Sequence, residues 1–295
     1  MRRRTVLAGG AAWALPPLSA RAAGAAELPV VATFSILADL ARTIGGAGVR
    51  VTSFVGPDAD AHTFEPRPSD LLALQAARLL VVNGLGLEGW MSRLAQAAGY
   101  TGATVVASTG VRPRMIAAGE PDPHAWQNPA NGVIYVHNIA EGLAAADPAR
   151  AESIRAAAAR LTADIQAADA FITRTIGAIP PAKRRIITSH DAFGYYGARY
   201  GIEFRAAQGI DTDTEPSARA LAILARQIRA DGIKAVFIET MTDPRLARTL
   251  AREAGATVGP PVYSDALSKP GGPADTYVKM LRYNTEQFAR AMAAN

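Results

Sequence analysis

The sequence predicts an α/β protein of two lobes, each a mostly parallel sheet flanked by helices, bridged by one long rigid helix. Three observations carry this expectation. Short apolar runs recur between helix-like segments, and they are continuous rather than alternating, as parallel strands covered on both faces require. From Pro148 to Ile179 the chain is rich in alanine and free of glycine until Gly177. Beyond Pro180-Pro181 the strand and helix alternation resumes.

In chain order, Val30 to Phe34 is a buried strand, and Ser35 to Ile44 a helix whose Ile36, Leu37, Leu40 and Ile44 share one face, ended by Gly45-Gly46. Val49 to Val55 is a second strand, stopped by Gly56-Pro57. Ser69-Asp70 opens a helix through Ala77, and the runs Leu79–Val82 and Thr104–Ala107 complete a first sheet. The long helix carries Ile154, Ala158, Leu161, Ile165, Ala168 and Ile172 at alternating spacings of 4 and 3, a single apolar stripe. Asp147 is its expected N-cap and Pro148 its first residue. In the second lobe, strands are expected at Arg185–Thr188, Lys234–Ile238 and Pro261–Tyr263. Helices are expected at Asp191–Tyr200, Glu215–Arg229, Pro244–Glu253 and Thr276–Ala293. The division is therefore 1–22 as leader, 28–147 as first lobe, 148–179 as linking helix and 183–295 as second lobe.

The leader reads as a cleaved signal peptide. Arg2, Arg3 and Arg4 precede an apolar stretch from Val6 to about Ala20, and small residues surround Ala20-Arg21-Ala22. Arg3-Arg4-Thr5-Val6-Leu7 also resembles a twin-arginine signal, beside the Sec alternative. The stretch is too short, and too broken by Pro16 and Pro17, for a membrane anchor. A periplasmic location follows. Without residues 1–22 the 31 basic residues fall by four to 27, against 26 acidic, so the net charge of +5 falls to +1. The basicity belongs to the leader, and nucleic acid is excluded as a partner. With 49% hydrophobic and 19% charged residues the chain is globular rather than disordered. There is no cysteine, so disulfides, thiolate sites and a lipidated cysteine after the leader are excluded. A transition metal would have to be held by histidine and carboxylate.

Three of the four histidines lie just beyond strands or in turn-rich loops: His62, His124 and His190. Asp265 follows Val262-Tyr263-Ser264 at a like position. In open α/β sheets ligands bind beyond the carboxyl ends of the strands, and a cleft between lobes would gather two of these residues from each side. Imidazole with carboxylate suits zinc. Separations of 62, 66 and 75 residues form no local motif, so spacing alone leaves the site open. His137 falls within an apparent helix and is read as structural or exposed. Glu65 and Asp122 are candidates to orient the histidines, or else turn acids; Glu239 is a third such candidate or a helix-start acid. Trp126, Phe64 and Tyr195 are read as packing residues, and Gly84-Leu85-Gly86 as a turn rather than a phosphate loop.

From Val30 onward the chain resembles the zinc/manganese substrate-binding proteins of bacterial ABC importers. The resemblance rests on Ala32-Thr33-Phe34-Ser35-Ile36, Ala61-His62-Thr63-Phe64-Glu65-Pro66, Val82-Asn83-Gly84, Asp122-Pro123-His124-Ala125-Trp126, Ser189-His190-Asp191-Ala192-Phe193-Gly194-Tyr195, Glu215-Pro216-Ser217 and Tyr263-Ser264-Asp265-Ala266-Leu267, in order along the chain. Gly56-Pro57-Asp58 and Glu65-Pro66-Arg67-Pro68 resemble a proteobacterial zinc-specific subgroup. The resemblance implies a periplasmic monomer that holds one metal ion between its lobes. The implied ligands are His62, His124, His190 and Asp265. It further implies a membrane permease and ATPase as partners, with a periplasmic metallochaperone as a further candidate donor. Members suited to manganese often carry Glu at the third position; His190 there favours Zn2+, with Mn2+ the second choice. Many zinc-binding relatives carry a long His- and acid-rich loop before the second histidine, whereas Val111–Pro123 is short and has no histidine. The competing class is a secreted zinc hydrolase, which would keep an open metal position and a general base. No His-Glu-x-x-His is present, and Asp265 takes the fourth place. A binder of a metal chelate or small anion would want arginines or aromatics at the cleft.

Overall fold

The computed structural model describes residues 27–116, 119–214 and 216–295. The expected leader, 1–22, lies outside the described residues, as does Glu215. Two four-stranded parallel sheets form the lobes, with orders β2-β1-β3-β4 and β6-β5-β7-β8.

In the first lobe, β1 (Leu28–Phe34) runs beside β2 (Val49–Val55) and β3 (Leu79–Val82), and β3 beside β4 (Ala103–Val106). β3 is buried along its whole length, and β1 along all but Pro29, as their continuous apolar sequences require. α1 (Ser35–Gly45) follows β1 directly and buries Ile36, Leu37, Leu40 and Ile44. α2 (Pro68–Ala76) and α3 (Met91–Ala98) lie beyond β2 and β3. α4 (Pro129–Ala146) begins with Asn128 as its N-cap, the side chain accepting from the Ala130 amide at 3.0 Å.

The long helix is α5, Ala151–Gly177, 27 residues or ~40 Å. All six residues of the expected stripe are buried, with Ile176 added. It starts three residues later than its sequence suggests, because Pro148–Arg150 form a 3-10 turn. The Asp147 carboxylate is taken up by the Arg150 guanidinium instead of capping free backbone amides.

The second lobe is less regular. β5 (Arg185–Thr188) pairs with β6 (Glu203–Ala206) and β7 (Ala235–Val236), and β7 with β8 (Thr257–Val258). The strand expected at 261–263 is reduced to one parallel bridge between Glu239 and Val262. Pro260 and Pro261 bring no amide donors, so no ladder extends from it. α6 (Gly194–Tyr200), α7 (Ala218–Ala230), α8 (Pro244–Ala254) and α9 (Tyr277–Ala294) flank the sheet, with Ser217, Asp243 and Thr276 as side-chain N-caps of the last three.

One large core runs from β1 through α4 and α5 to an aromatic group of Phe193, Tyr196, Phe237 and Phe288. A smaller, separate cluster joins Ile187, Leu224, Ile228, Val236 and Leu250. Among the described residues no helix is long and apolar enough to cross a membrane.

Candidate metal centre

The carboxyl ends of both parallel sheets face one cleft, and the loops beyond them carry the four residues singled out in the sequence. His62 lies in the loop after β2, His124 in the loop after β4, and His190 two residues beyond β5. Asp265 follows the bridge that sets Val262 beside Glu239. These four can each offer one donor atom with all four within 4.8 Å of one another.

The distances have a regular pattern. The His62 Nε2 is 3.3 Å from the His124 Nε2, which is 3.4 Å from the His190 Nε2. Asp265 Oδ2 is 3.2 Å from the Nε2 of His62 and of His190, and Oδ1 is 3.6 Å from that of His124. A tetrahedral ion bonded at ~2.0–2.1 Å keeps its ligand atoms ~3.3–3.4 Å apart. His124, His190 and Asp265 are fully buried. Neither Asp265 oxygen has a hydrogen-bond donor among the described residues beyond these imidazoles. A buried carboxylate costs several kcal/mol unless a cation compensates it. The set therefore suits a cation held at its centre.

The far nitrogen of each ring is held by an acid. His124 Nδ1 donates to Asp122 Oδ1 at 2.8 Å, and the His124 amide donates to the same oxygen at 3.0 Å. Asp122 Oδ2 receives the Arg114 guanidinium at 2.9 Å. Gly194 makes room for this pair: a Cβ there would stand 2.4 Å from Arg114 and 2.9 Å from Asp122. His190 Nδ1 meets Glu239 Oε2, and Glu239 Oε1 accepts from the Ser189 hydroxyl and the His190 amide, both at 2.9 Å. His62 Nδ1 lies 3.3 Å from Asp211 of the second lobe, an exposed carboxylate. Such contacts fix the tautomer, leaving each Nε2 lone pair for a metal.

Glu65 does not join this arrangement; it is exposed, and the His62 amide is held instead by Asp60 Oδ1 at 2.8 Å. Asp60 Oδ2 accepts from the Thr212 hydroxyl at 2.6 Å, across the cleft. His137 sits exposed on α4, outside the cluster. Trp126 packs 5.3 Å from the His124 ring, Phe64 lies against Trp90, and the Tyr195 hydroxyl donates to the Asp122 carbonyl. The Gly84-Leu85-Gly86 segment is a turn with three positive φ angles, and a Cβ on Gly84 would meet Val106 at 2.6 Å. Asn83, just before it, donates to the Pro123 carbonyl at 3.0 Å and so braces the His124 loop.

Asp265 belongs to the second lobe by sequence, yet the hydrogen bonds of Ser264 and Leu267 on either side tie its segment to the first. The Ser264 carbonyl accepts from Trp126 at 2.9 Å and Gln127 at 2.8 Å. The Leu267 amide donates to the Ser35 hydroxyl at 2.9 Å, and its carbonyl accepts from the Asp58 amide at 3.1 Å. Sequence reasoning missed Asp60, Asp211, Thr212 and Arg114. Asp211 and Thr212 follow β6 at the same end of the sheet as the histidines, but β6 carries no strand pattern to mark them, and Arg114 offers no signal either.

The electrostatics follow the geometry. Burial alone would raise the Asp265 carboxyl, but His124 and His190 hold it well below the usual range. Burial opposes protonation of His124, but Asp265 and Asp122 outweigh it and push the ring up to about 9. Burial likewise opposes a charge on His190, yet Glu239 and Asp265 raise it well above an ordinary histidine. A metal ion that takes these nitrogens displaces protons.

The sequence matches the family described as zinc-uptake complex component A, periplasmic, over residues 30–291. It is 33% identical to the manganese-binding lipoprotein MntA of Bacillus subtilis over 275 residues, 90% of each chain. It is 31% identical to the iron-binding protein YfeA of Yersinia pestis, over 90% of this chain and 86% of the relative. Among solved structures, the periplasmic zinc binding protein TroA from Treponema pallidum superposes with a TM-score of 0.87 at 26% identity, covering 90% of this chain and 99% of that one. A Mn-bound periplasmic metal binding protein from Candidatus Liberibacter asiaticus superposes at 0.80 with 28% identity, covering 90% and 100%.

Proposed function

The chain belongs to the family of zinc-uptake complex component A, the periplasmic metal-binding components of ABC transporters, and from that premise we propose that it captures one zinc ion in the periplasm and delivers it to a permease and its ATPase. The ion is cargo, and the protein performs no chemistry on it. His62, His124, His190 and Asp265 are its ligands in this reading, residues 1–22 are the removed leader, and the chain acts as a monomer.

One observation carries the reading: three imidazole nitrogens gather on one carboxylate, with the His62–His124 and His124–His190 pairs and each imidazole–Asp265 contact at 3.2–3.6 Å and all four donors within 4.8 Å of one another. Those separations fit the ~3.3–3.4 Å edges of a closed tetrahedral site with N and O donors. Four protein ligands leave no open position for substrate, which argues against a hydrolase. Three imidazoles favour zinc over the harder manganese. The names of the relatives, one manganese-binding and one iron-binding, make manganese the second reading.

The test is a competitive titration of the chelator-stripped mature chain with zinc and manganese at pH 7, read by metal analysis. One zinc per chain, not displaced by excess manganese, is the expected result. Preferential retention of manganese would reassign the cargo. No tight binding of either would remove the four-residue site.

A further inference from the structure

On the first lobe, α2 and α3 leave an apolar groove of about 590 Å³ between them. Pro66, Leu72, Trp90 and Leu94 line it. α2 carries leucines on opposite sides: Leu74 is fully buried in the core, while Leu72 is 64% exposed beside the groove. A large exposed apolar side chain next to an apolar cavity is the pattern of an interaction surface. Arg67 and Arg93 also line the groove, both are exposed, and neither has an ion-pair partner among the described residues. The nearby Asp70 is engaged, accepting the Arg67 backbone amide at 2.8 Å. The groove thus asks for an apolar segment that carries carboxylates.

Its position gives it a second property. Trp90, on its floor, donates from the indole nitrogen to the Ala61 carbonyl at 3.2 Å, one residue before His62. Phe64 lies against the same indole at 4.7 Å between ring centroids, and Pro66 at the end of that loop lines the groove directly. An occupant therefore rests on both ends of the loop that presents His62.

We propose that this groove is where the periplasmic face of the permease seats a carboxylate-bearing apolar segment, against the back of the His62 loop. The proposal rests on the transport reading above. A chain that hands over its ion must dock on the permease, and a contact that moves Trp90 moves the backbone next to His62. Guanidinium groups at the rim speed and orient such docking, and the apolar centre holds it.

The experiment uses the zinc-loaded mature chain with its permease and ATPase reconstituted in proteoliposomes. Leu72→Asp and the pair Arg67→Glu with Arg93→Glu change only exposed side chains. Both should bind one zinc per chain and melt as the wild type does, while stimulating ATP hydrolysis at least tenfold less. Ile223→Asp, at an exposed site on α7 in the other lobe, should stimulate normally. Unchanged stimulation by both groove variants overturns the proposal, as does an equal loss in Ile223→Asp. So does a wild-type dimer in sedimentation that Leu72→Asp converts to a fully stimulating monomer, which would give the groove to a second copy. A wild-type chain that binds zinc but leaves the ATPase at rest overturns the transport reading itself, and this inference with it.

Discussion

The two sides of the cleft are built differently. His62, His124 and Asp265 stand on a frame laced by direct hydrogen bonds, Ser264 to Trp126 and Gln127, Leu267 to Ser35 and Asp58. That frame rests on the large core, which α5 extends into the second lobe. The opposite side, made of β7, β8, α7 and α8, has its own small cluster. His190 stands at the seam, since Ile186 of β5 joins the large core and Ile187 the small one. Near the site, the outer half meets the frame through the backbone pairing of Val262 with Ile238 and Thr240, and through two polar side-chain contacts, Thr212 with Asp60 and Asp211 with His62. Three donors thus stand on the frame, and the fourth stands where the large and small clusters meet. An ion that bonds both ties them together.

The largest effect that sharpens this contrast is at the donors. Asp265 stands within 3.2–3.6 Å of all three imidazoles. Asp265→Ala should remove measurable zinc binding, whereas His190→Ala should leave the frame's three donors and a site weakened by more than about 100-fold, beyond the cost of losing an outer acid. Competition against a chelator of known strength reads both, and His137→Ala should match the wild type. If the His190 variant is the weaker of the two, the frame does not dominate.

Next come the acids behind the rings. Asp122→Asn and Glu239→Gln should each weaken zinc binding by about 10–100-fold. Glu239 Oε1 also holds Ser189 and the His190 amide, so a glutamine that keeps those bonds must set its amide N–H groups against His190 Nδ1, which should loosen the seam. Asp122 lies against Arg114 on the frame side. Hydrogen exchange checks the difference: α7 and α8 should exchange faster in the Glu239 variant, and at the wild-type rate in the Asp122 variant.

Stability follows. Leu250→Ala, in the small cluster, should cost about 2–5 kcal/mol. The loss should be confined to the outer half, with amides of α7 and α8 deprotected and those of β1 and β3 unchanged. Zinc should restore part of that protection by binding only the closed, folded chain. Uniform deprotection across both lobes would mean that the two bodies unfold as one.

The same contrast explains what the sequence makes legible. β1, β3 and the α5 stripe stand out because burial on both faces, or along one helical face, demands continuous or evenly spaced apolar residues. Glu203-Phe204-Arg205-Ala206 of β6 carries no such demand, because the strand lies at a partly exposed edge. β7 falls inside the strand expected at Lys234–Ile238, whereas the two-residue β8 is held by its neighbour rather than by its own pattern. Within the site, the rule that ligands gather at strand ends makes His62, His124, His190 and Asp265 candidates, and the family resemblance singles them out. Asp60, Thr212 and Arg114 act through contacts that local sequence does not encode: Asp60 and Thr212 are 152 residues apart. The bonding of Asp265 to the first lobe is hidden for the same reason, since Leu267 reaches Ser35 across 232 residues.

The smallest expected effect tests the joint between α1 and α9. Asp39 on α1 accepts the Tyr277 amide at 2.8 Å, at the start of the last helix. Burial pushes its carboxyl up from 3.8 to about 6, against the lowering pull of that amide. The folded chain therefore binds this proton more tightly than the unfolded chain does. The resulting stability is fully present below about pH 4 and is lost as pH rises through about 6. Asp39→Asn keeps an oxygen acceptor for Tyr277 and removes the charge. Its melting temperature relative to wild type should rise by a few degrees between pH 4 and pH 7.5. A difference independent of pH would show that the Asp39 carboxylate is compensated in the folded joint, and that its side of the frame tolerates charge as readily as the outer half does.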